Sequence, residues 1–175
     1  MMDFFEISQI AAVGGGMVFA FVTFSSPHPQ EFETTAKVES PKEKPTTTSL
    51  VVSLSQATVS VKQLDKLIAK YPVAVGRDSW ETPTGHFQVT DMQVNPAWRS
   101  PFTGKVYSPG VNNPIGDRWI EFLSLSNGNK IGFHGTQKEY SVGRAVSSGC
   151  LRMRRSDLHK LYAAVKIGTP VIVEQ

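Results

Sequence analysis

Only one stretch of this chain carries apolar residues at helical spacing: Leu158, Leu161, Tyr162 and Val165 fall at i, i+3, i+4 and i+7. Ser156 is placed to cap that helix, Asp157 suits its first turn, and Gly168 marks its stop. Elsewhere Val, Thr, Ile and Phe gather in runs too short for a helix, cut by eleven prolines and fourteen glycines. The pattern favours strands over the rest of the domain, with one strong helix.

The strands can be placed one by one. Leu50 to Leu54 and Thr58 to Val61 read as a hairpin. Leu67 to Val75 reads as a third strand broken near Tyr71-Pro72, which predicts an edge position or a bulge. Thr82-Pro83-Thr84-Gly85 is a turn leading to a strand over His86 to Thr90. Asn95 to Gly116, rich in Pro, Gly and Asn, reads as a long loop, a kind that usually serves function. Trp119 to Leu125 and Lys130 to Phe133 flank Asn127-Gly128, a strong hairpin signal, and Val171 to Val173 closes the chain as a strand.

An apolar N-terminal segment precedes this domain. Ile7 to Phe24 is an uncharged stretch of 18 residues, about 27 Å long as a helix, barely a bilayer core. A membrane anchor, a cleaved signal peptide and a buried helix all compete for it, and residues 1–24 are assigned here as an anchor or signal segment. Lys37, Lys42 and Lys44 follow it and no Lys or Arg precedes it, a charge order that argues for a cytoplasmic C-terminal side. Residues 25–49, rich in Pro, Ser and Thr, read as a linker. Residues 50–175 form the globular domain. Charge follows the same division: residues 1–49 sum to −3 and residues 50–175 to +6. A basic domain attracts polyanions, but no helix-turn-helix, zinc-finger or RNA-binding signature singles out nucleic acid.

Chemistry concentrates between Ile131 and Met153. Cys150, the one cysteine, follows Ser147-Ser148-Gly149. A glycine before a nucleophile permits unusual backbone angles and close substrate approach, and amides around such a turn can converge on an oxyanion. A thiol with a pKa near ~8.5 needs a base to act at neutral pH. His134, ending a predicted strand and followed by Gly135 and Thr136, is the candidate. Arg144, Arg152, Arg154 and Arg155 add positive potential, the last two fitting a solvated face better. His28 lies in the linker, His86 at a strand start and His159 on the polar side of the helix. No Cys-x-x-Cys or His-x-x-x-His spacing suggests a metal, and no other cofactor is expected.

His134-Gly135-Thr136, then Val142-Gly143-Arg144-Ala145-Val146, then Ser147-Ser148-Gly149-Cys150-Leu151-Arg152-Met153 resemble the signature of the L,D-transpeptidase catalytic domain (YkuD type). Tyr71 to Gly76, Thr82 to Gly85, Asn95 to Trp98, Asn113 to Gly116 and Gly168 to Val171 extend the resemblance over residues 50–175. It implies a mainly β fold, a sandwich-like or barrel-like sheet assembly with one or two helices, acting on peptidoglycan stem peptides. The cysteine of such a domain attacks the L,D bond after the third stem residue, releases D-alanine and passes the thioester to an amine, giving a 3→3 cross-link. Some members transfer to a lipoprotein, a D-amino acid or water.

Carried over by position, Cys150 is the nucleophile, His134 the base, and the Gly135 carbonyl orients the imidazole. The Ser148, Gly149 and Cys150 amides form the oxyanion hole. Arg152 orders the site, and Ser147, Thr136 and Arg144 complete the substrate-binding set. Many members have histidine where this chain has Ser148, so a contribution from that imidazole is not expected here. The resemblance thus implies a monomeric cell-envelope enzyme, periplasmic or extracytoplasmic, tethered to the membrane through its N-terminal segment. A carboxypeptidase or exchange enzyme on the same scaffold and a non-catalytic wall-binding module are the competing readings.

Overall fold

The protein was analysed as a computed structural model, which describes residues 48–175. The anchor or signal segment expected over 1–24 and all but the last two residues of the expected linker lie outside the described residues. Among the described residues no helix is long and apolar enough to cross a membrane.

Thirteen strands and one α-helix are described. A first group is β1 (Thr48–Ser53), β2 (Thr58–Gln63), β3 (Lys66–Pro72), β4 (Val75–Gly76), β5 (Gly85–Gln88) and β6 (Asp91–Val94). Next come β7 (Trp98–Arg99), β8 (Val106–Tyr107), β9 (Arg118–Ser124), β10 (Lys130–Gly135), β11 (Ala145–Ser147) and β12 (Leu151–Met153). The helix α1 (Arg155–Ala164) and the strand β13 (Pro170–Glu174) close the chain. One sheet runs β3-β2-β1-β13-β5 and a second β12-β10-β9-β6, with two-stranded pairs β11-β4 and β7-β8.

Alternation explains how the two larger sheets share a core. Leu50 and Val52 of β1, Val59 and Val61 of β2, and Val171 and Val173 of β13 are buried, while their neighbours in sequence are less so. These side chains cluster with Ile120, Phe122, Phe133, Leu151 and Met153 of the second sheet. Phe122 joins the layers, meeting Phe87 of β5 at 5.5 Å and Phe133 at 5.4 Å between ring centroids. Leu158 and Leu161, the helical pair read from the sequence, are fully buried and complete the core as α1 packs against β9 and β10.

Several expectations shift in detail. The first strand starts at Thr48 because Thr48 and Ser49 already pair with Gln63 and Lys62. As expected of its proline, β3 lies at a sheet edge. The helix starts at Arg155, one residue before Ser156, with Arg154 as N-cap and no side-chain cap, so Ser156 is not the cap. It ends at Ala164, ahead of Gly168, whose amide instead bonds the Val89 carbonyl. The long loop carries the small ladder of β7 and β8, and β4, β6, β11 and β12 were not anticipated, since strands of two to four residues leave no readable alternation.

Because Phe133 bridges the core while Ile68 of β3 is 56% exposed, Phe133→Ala is expected to lower unfolding free energy by about 3–5 kcal/mol. Ile68→Ala should change it by less than about 0.5 kcal/mol. Urea denaturation of the two variants checks the contrast.

Candidate active site

Strand β10 is buried from Ile131 to Gly135, so both of its faces are covered. Register separates them. Phe133 stands opposite Ile120 of β9 and Leu151 of β12, a row that enters the core. One residue on, His134 stands opposite Trp119 and Arg152. Side chains one residue apart in a strand face opposite ways, so Trp119, His134 and Arg152 form a row on the far face. There a cavity of about 900 Å³ is lined by these three residues together with Cys150. The parallel pairing of β10 with β12 makes His134 and Cys150 diagonal neighbours: one step back from Leu151 sets Cys150 beside Gly132. The loop between them has folded back as the sequence reading required.

The imidazole is fixed from two sides. Its ring stacks on Trp119 at 6.1 Å between centroids. Its Nδ1 lies 2.6 Å from the Gly135 carbonyl oxygen. A carbonyl only accepts, so Nδ1 carries the proton and Nε2 of the neutral ring keeps its lone pair. Burial pushes His134 down to about 4, with Arg152 lowering it further and the Gly135 bond opposing.

The thiol is held by backbone. Cys150 Sγ donates to the Lys130 carbonyl at 3.4 Å, and the Gly132 amide favours the ionised sulfur. Both groups flank the register shift between Ile131 and Gly132, so a β-bulge aims them at one atom. Lys130 is clamped there by the buried Glu121 at 2.6 Å, which also accepts from Ser124. Burial raises the thiol pKa, against the Gly132 amide and the Arg152 charge. At neutral pH the resting pair is therefore thiol and neutral imidazole.

The turn before Cys150 has the backbone its glycine suggests: Gly149 has φ +105, and a Cβ there would press on Ile131 at 3.0 Å. Ser147 is fully buried and its Oγ accepts from the Gly149 amide at 3.2 Å. Ser147, Ser148, Gly149, Thr136 and Arg152 all border the cavity. Arg144 does not: its side chain is exposed, and its carbonyl accepts from Val75 where β11 meets β4. Arg154 and Arg155 are exposed, as read, and Arg155 and His159 bind Asp117.

Three supporting residues were given no role by the sequence reading. Thr82, in the anticipated turn, donates from Oγ1 to the Gly149 carbonyl at 2.9 Å and accepts from the Gly76 amide at 3.0 Å. Asn113 is buried in the long loop, donating to the Pro96 carbonyl at 2.8 Å and accepting from the Ile115 amide at 3.1 Å. Ile115 in turn accepts from the Gly135 amide at 2.9 Å. Gly116, at φ +74, lets this loop approach Gly135 to a distance that a side chain would obstruct. Arg77 donates its amide to the Ser147 carbonyl and its Nη1 to Ser148 Oγ. Polar residues inside turns carry no periodicity that would have marked them.

With this geometry in hand, comparison with known proteins is informative. The family model described as the L,D-transpeptidase catalytic domain matches residues 47–173. YqjB of Bacillus subtilis, a protein carrying the name L,D-transpeptidase, is 36% identical over 62% of this chain and 61% of its own length. YkuD of the same organism, similarly named, is 33% identical over 72% of this chain and 65% of its own. The chain thus spans under two thirds of the length of these relatives. Among solved structures, an L,D-transpeptidase from Mycobacterium tuberculosis H37Rv aligns with a TM-score of 0.59 at 26% identity, covering 74% of this chain and 58% of that one. One from Mycobacterium smegmatis aligns at 0.60 and 20% identity, covering 74% and 59%, and supports the fold.

A half-buried thiol beside a neutral imidazole has a defined pH signature. Thiolate is scarce below the raised thiol pKa, and His134 stays neutral down to about 4, so no imidazolium holds a thiolate at mid pH. Alkylation of Cys150 by iodoacetamide should rise about tenfold per pH unit between about pH 6 and 8. A rate flat over that range would show a resting ion pair instead.

Proposed function

The chain belongs to the L,D-transpeptidase catalytic-domain family, and from that premise we propose that it is a cysteine acyltransferase of peptidoglycan that forms 3→3 cross-links. The observation that carries this reading is the juxtaposition of the Cys150 thiol with an imidazole whose Nδ1–H is committed to Gly135. In the proposed reaction Nε2 of His134 takes the thiol proton as sulfur attacks the L,D carbonyl of a tetrapeptide stem. The amides of Ser148 and Cys150 face the oxyanion, with the Gly149 amide joining by exchanging its Ser147 partner. An imidazolium in so buried a site is a strong acid, since the ring's pKa is about 4. It gives its proton to the departing D-alanine nitrogen, the C–N bond breaks, and a thioester on Cys150 remains.

The second half runs in reverse. The amine of a neighbouring stem loses a proton to Nε2 and attacks the thioester. The C–S bond then breaks, and sulfur recovers its proton. Arg152, beside both groups, offsets negative charge on sulfur and oxygen. Thr136, on the cavity wall, contacts the stem. Arg144 is given no part, because it is exposed away from the cavity. The substrate places the domain in the cell envelope, outside the cytoplasmic membrane, and residues 1–24 supply its tether.

Incubation with a tetrapeptide-stem fragment should add to the protein the fragment mass less one D-alanine. Cys150→Ala should abolish the adduct, and His134→Ala should slow it about 10²–10⁴-fold. A pentapeptide stem should acylate poorly. Intact-mass analysis reads all of these, and an undiminished adduct on Cys150→Ala would remove the assignment.

A further inference from the structure

The turn over 147–150 is flanked by two guanidinium groups that form no ion pair. Arg152 stands on β12 beside His134. Arg77 follows β4, 71 residues from its side-chain partner in the turn. Neither takes part in a salt bridge among the described residues. Glu81, the acid of the cavity wall, forms no ion pair with either of them. Lys130 is occupied by the buried Glu121, and Glu81 accepts from the Ser79 amide.

Arg77 is exposed yet held in place. Its backbone amide donates to the Ser147 carbonyl at 3.1 Å, and Nη1 donates to Ser148 Oγ at 3.4 Å. The guanidinium carbon lies 5.7 Å from the centre of the Trp80 ring, and Trp80 is itself braced edge-on by Phe102 at 5.7 Å. A cation over an aromatic face is attracted by the ring quadrupole. Of the donors a guanidinium offers, only Nη1 is spent on a side chain, which leaves most of the fork open. A fixed, open guanidinium fork matches a carboxylate in two parallel hydrogen bonds and loses little rotamer freedom on binding it. Trp80 and Ser148, the two side chains that hold Arg77, both line the cavity.

We propose that Arg77 is a specificity-determining residue that binds a carboxylate of the donor peptide, so that the enzyme selects a stem with a free acid there over its carboxamide. The inference rests on the acyl-transfer reading above. The donor of that reaction ends in a carboxylate one residue beyond the attacked bond, and the two guanidinium groups at the turn are without an ion pair among the described residues. Arg77 does not itself line the cavity; it meets the cavity's edge through Ser148 and Trp80, which do.

The test compares acylation kcat/KM of the full chain on a tetrapeptide-stem fragment and on versions with one carboxylate at a time converted to carboxamide. For one of these the wild type should lose about tenfold, as for a hydrogen bond to a charged group. In Arg77→Gln that penalty should shrink to less than about twofold, and Arg77→Lys should keep part of it through charge without the fork. Both rates come from the same variant, so a loss of folded protein cancels in the ratio. A penalty undiminished in Arg77→Gln, or no penalty for any amidation in the wild type, overturns the inference. A wild type that forms no adduct with any of the donors removes the acyl-transfer reading, and this inference with it.

Discussion

The hydrogen bond from His134 Nδ1 to the Gly135 carbonyl is the contact on which the site depends. It joins a side chain to the backbone of the very next residue, at 2.6 Å in a buried setting. It decides which nitrogen holds the proton, and therefore which one can receive another. A free ring would interchange tautomers and rotate. Here Trp119 covers one face, and Gly135 is tied by its amide to Ile115. The long loop is held in turn by buried Asn113, so a segment of irregular backbone stabilises one proton position. Supporting hydrogen bonds of this kind hold a ring in one orientation and one tautomer.

A second constraint follows from β10 being covered on both faces. Phe133 serves the core and His134 serves the cavity, one residue apart. A slip of one residue would exchange the two, placing an imidazole in the hydrophobic core and a phenyl ring at the thiol. The core therefore fixes the register of the site. The bulge between Ile131 and Gly132 adds what a regular ladder lacks, turning the Lys130 carbonyl and the Gly132 amide onto the sulfur. Burial opposes ionisation of both the thiol and the imidazole, so in the proposed reaction charge separation arises only when substrate arrives. An imidazole that is reluctant to hold a proton returns it readily to a leaving amine.

The legible parts of this design were those written in periodicity and in turn chemistry. Leu158 and Leu161 gave the helix, alternation gave β2, short apolar runs gave β1 and β13, and Asn127-Gly128 gave the hairpin of β9 and β10. Gly149 announced the positive φ that the structure shows. The helix start was misplaced because Arg154, without a capping side chain, occupies the position assigned to Ser156. The short strands β4, β11 and β12 stayed hidden because their pairing is set by distant partners, and the parallel alignment of β10 with β12 is a tertiary fact. Thr82, Asn113 and Arg77 were hidden for the same reason: each acts through a partner brought near only by the fold, as with Thr82 and Gly149, 67 residues apart. Arg144, close to Cys150 in sequence, is turned outward by the β11–β4 pairing, which uses its carbonyl and leaves its side chain in solvent.

The central claim is that His134 rests as a neutral ring with its proton on Nδ1. Nitrogen NMR of the labelled protein across pH reads this directly. The account predicts a protonated Nδ1 and a bare Nε2 at neutral pH, persisting on acidification until the ring titrates near its pKa of about 4. A ring already protonated on both nitrogens at about pH 6, where an unperturbed histidine titrates, or one carrying its proton on Nε2, would contradict it.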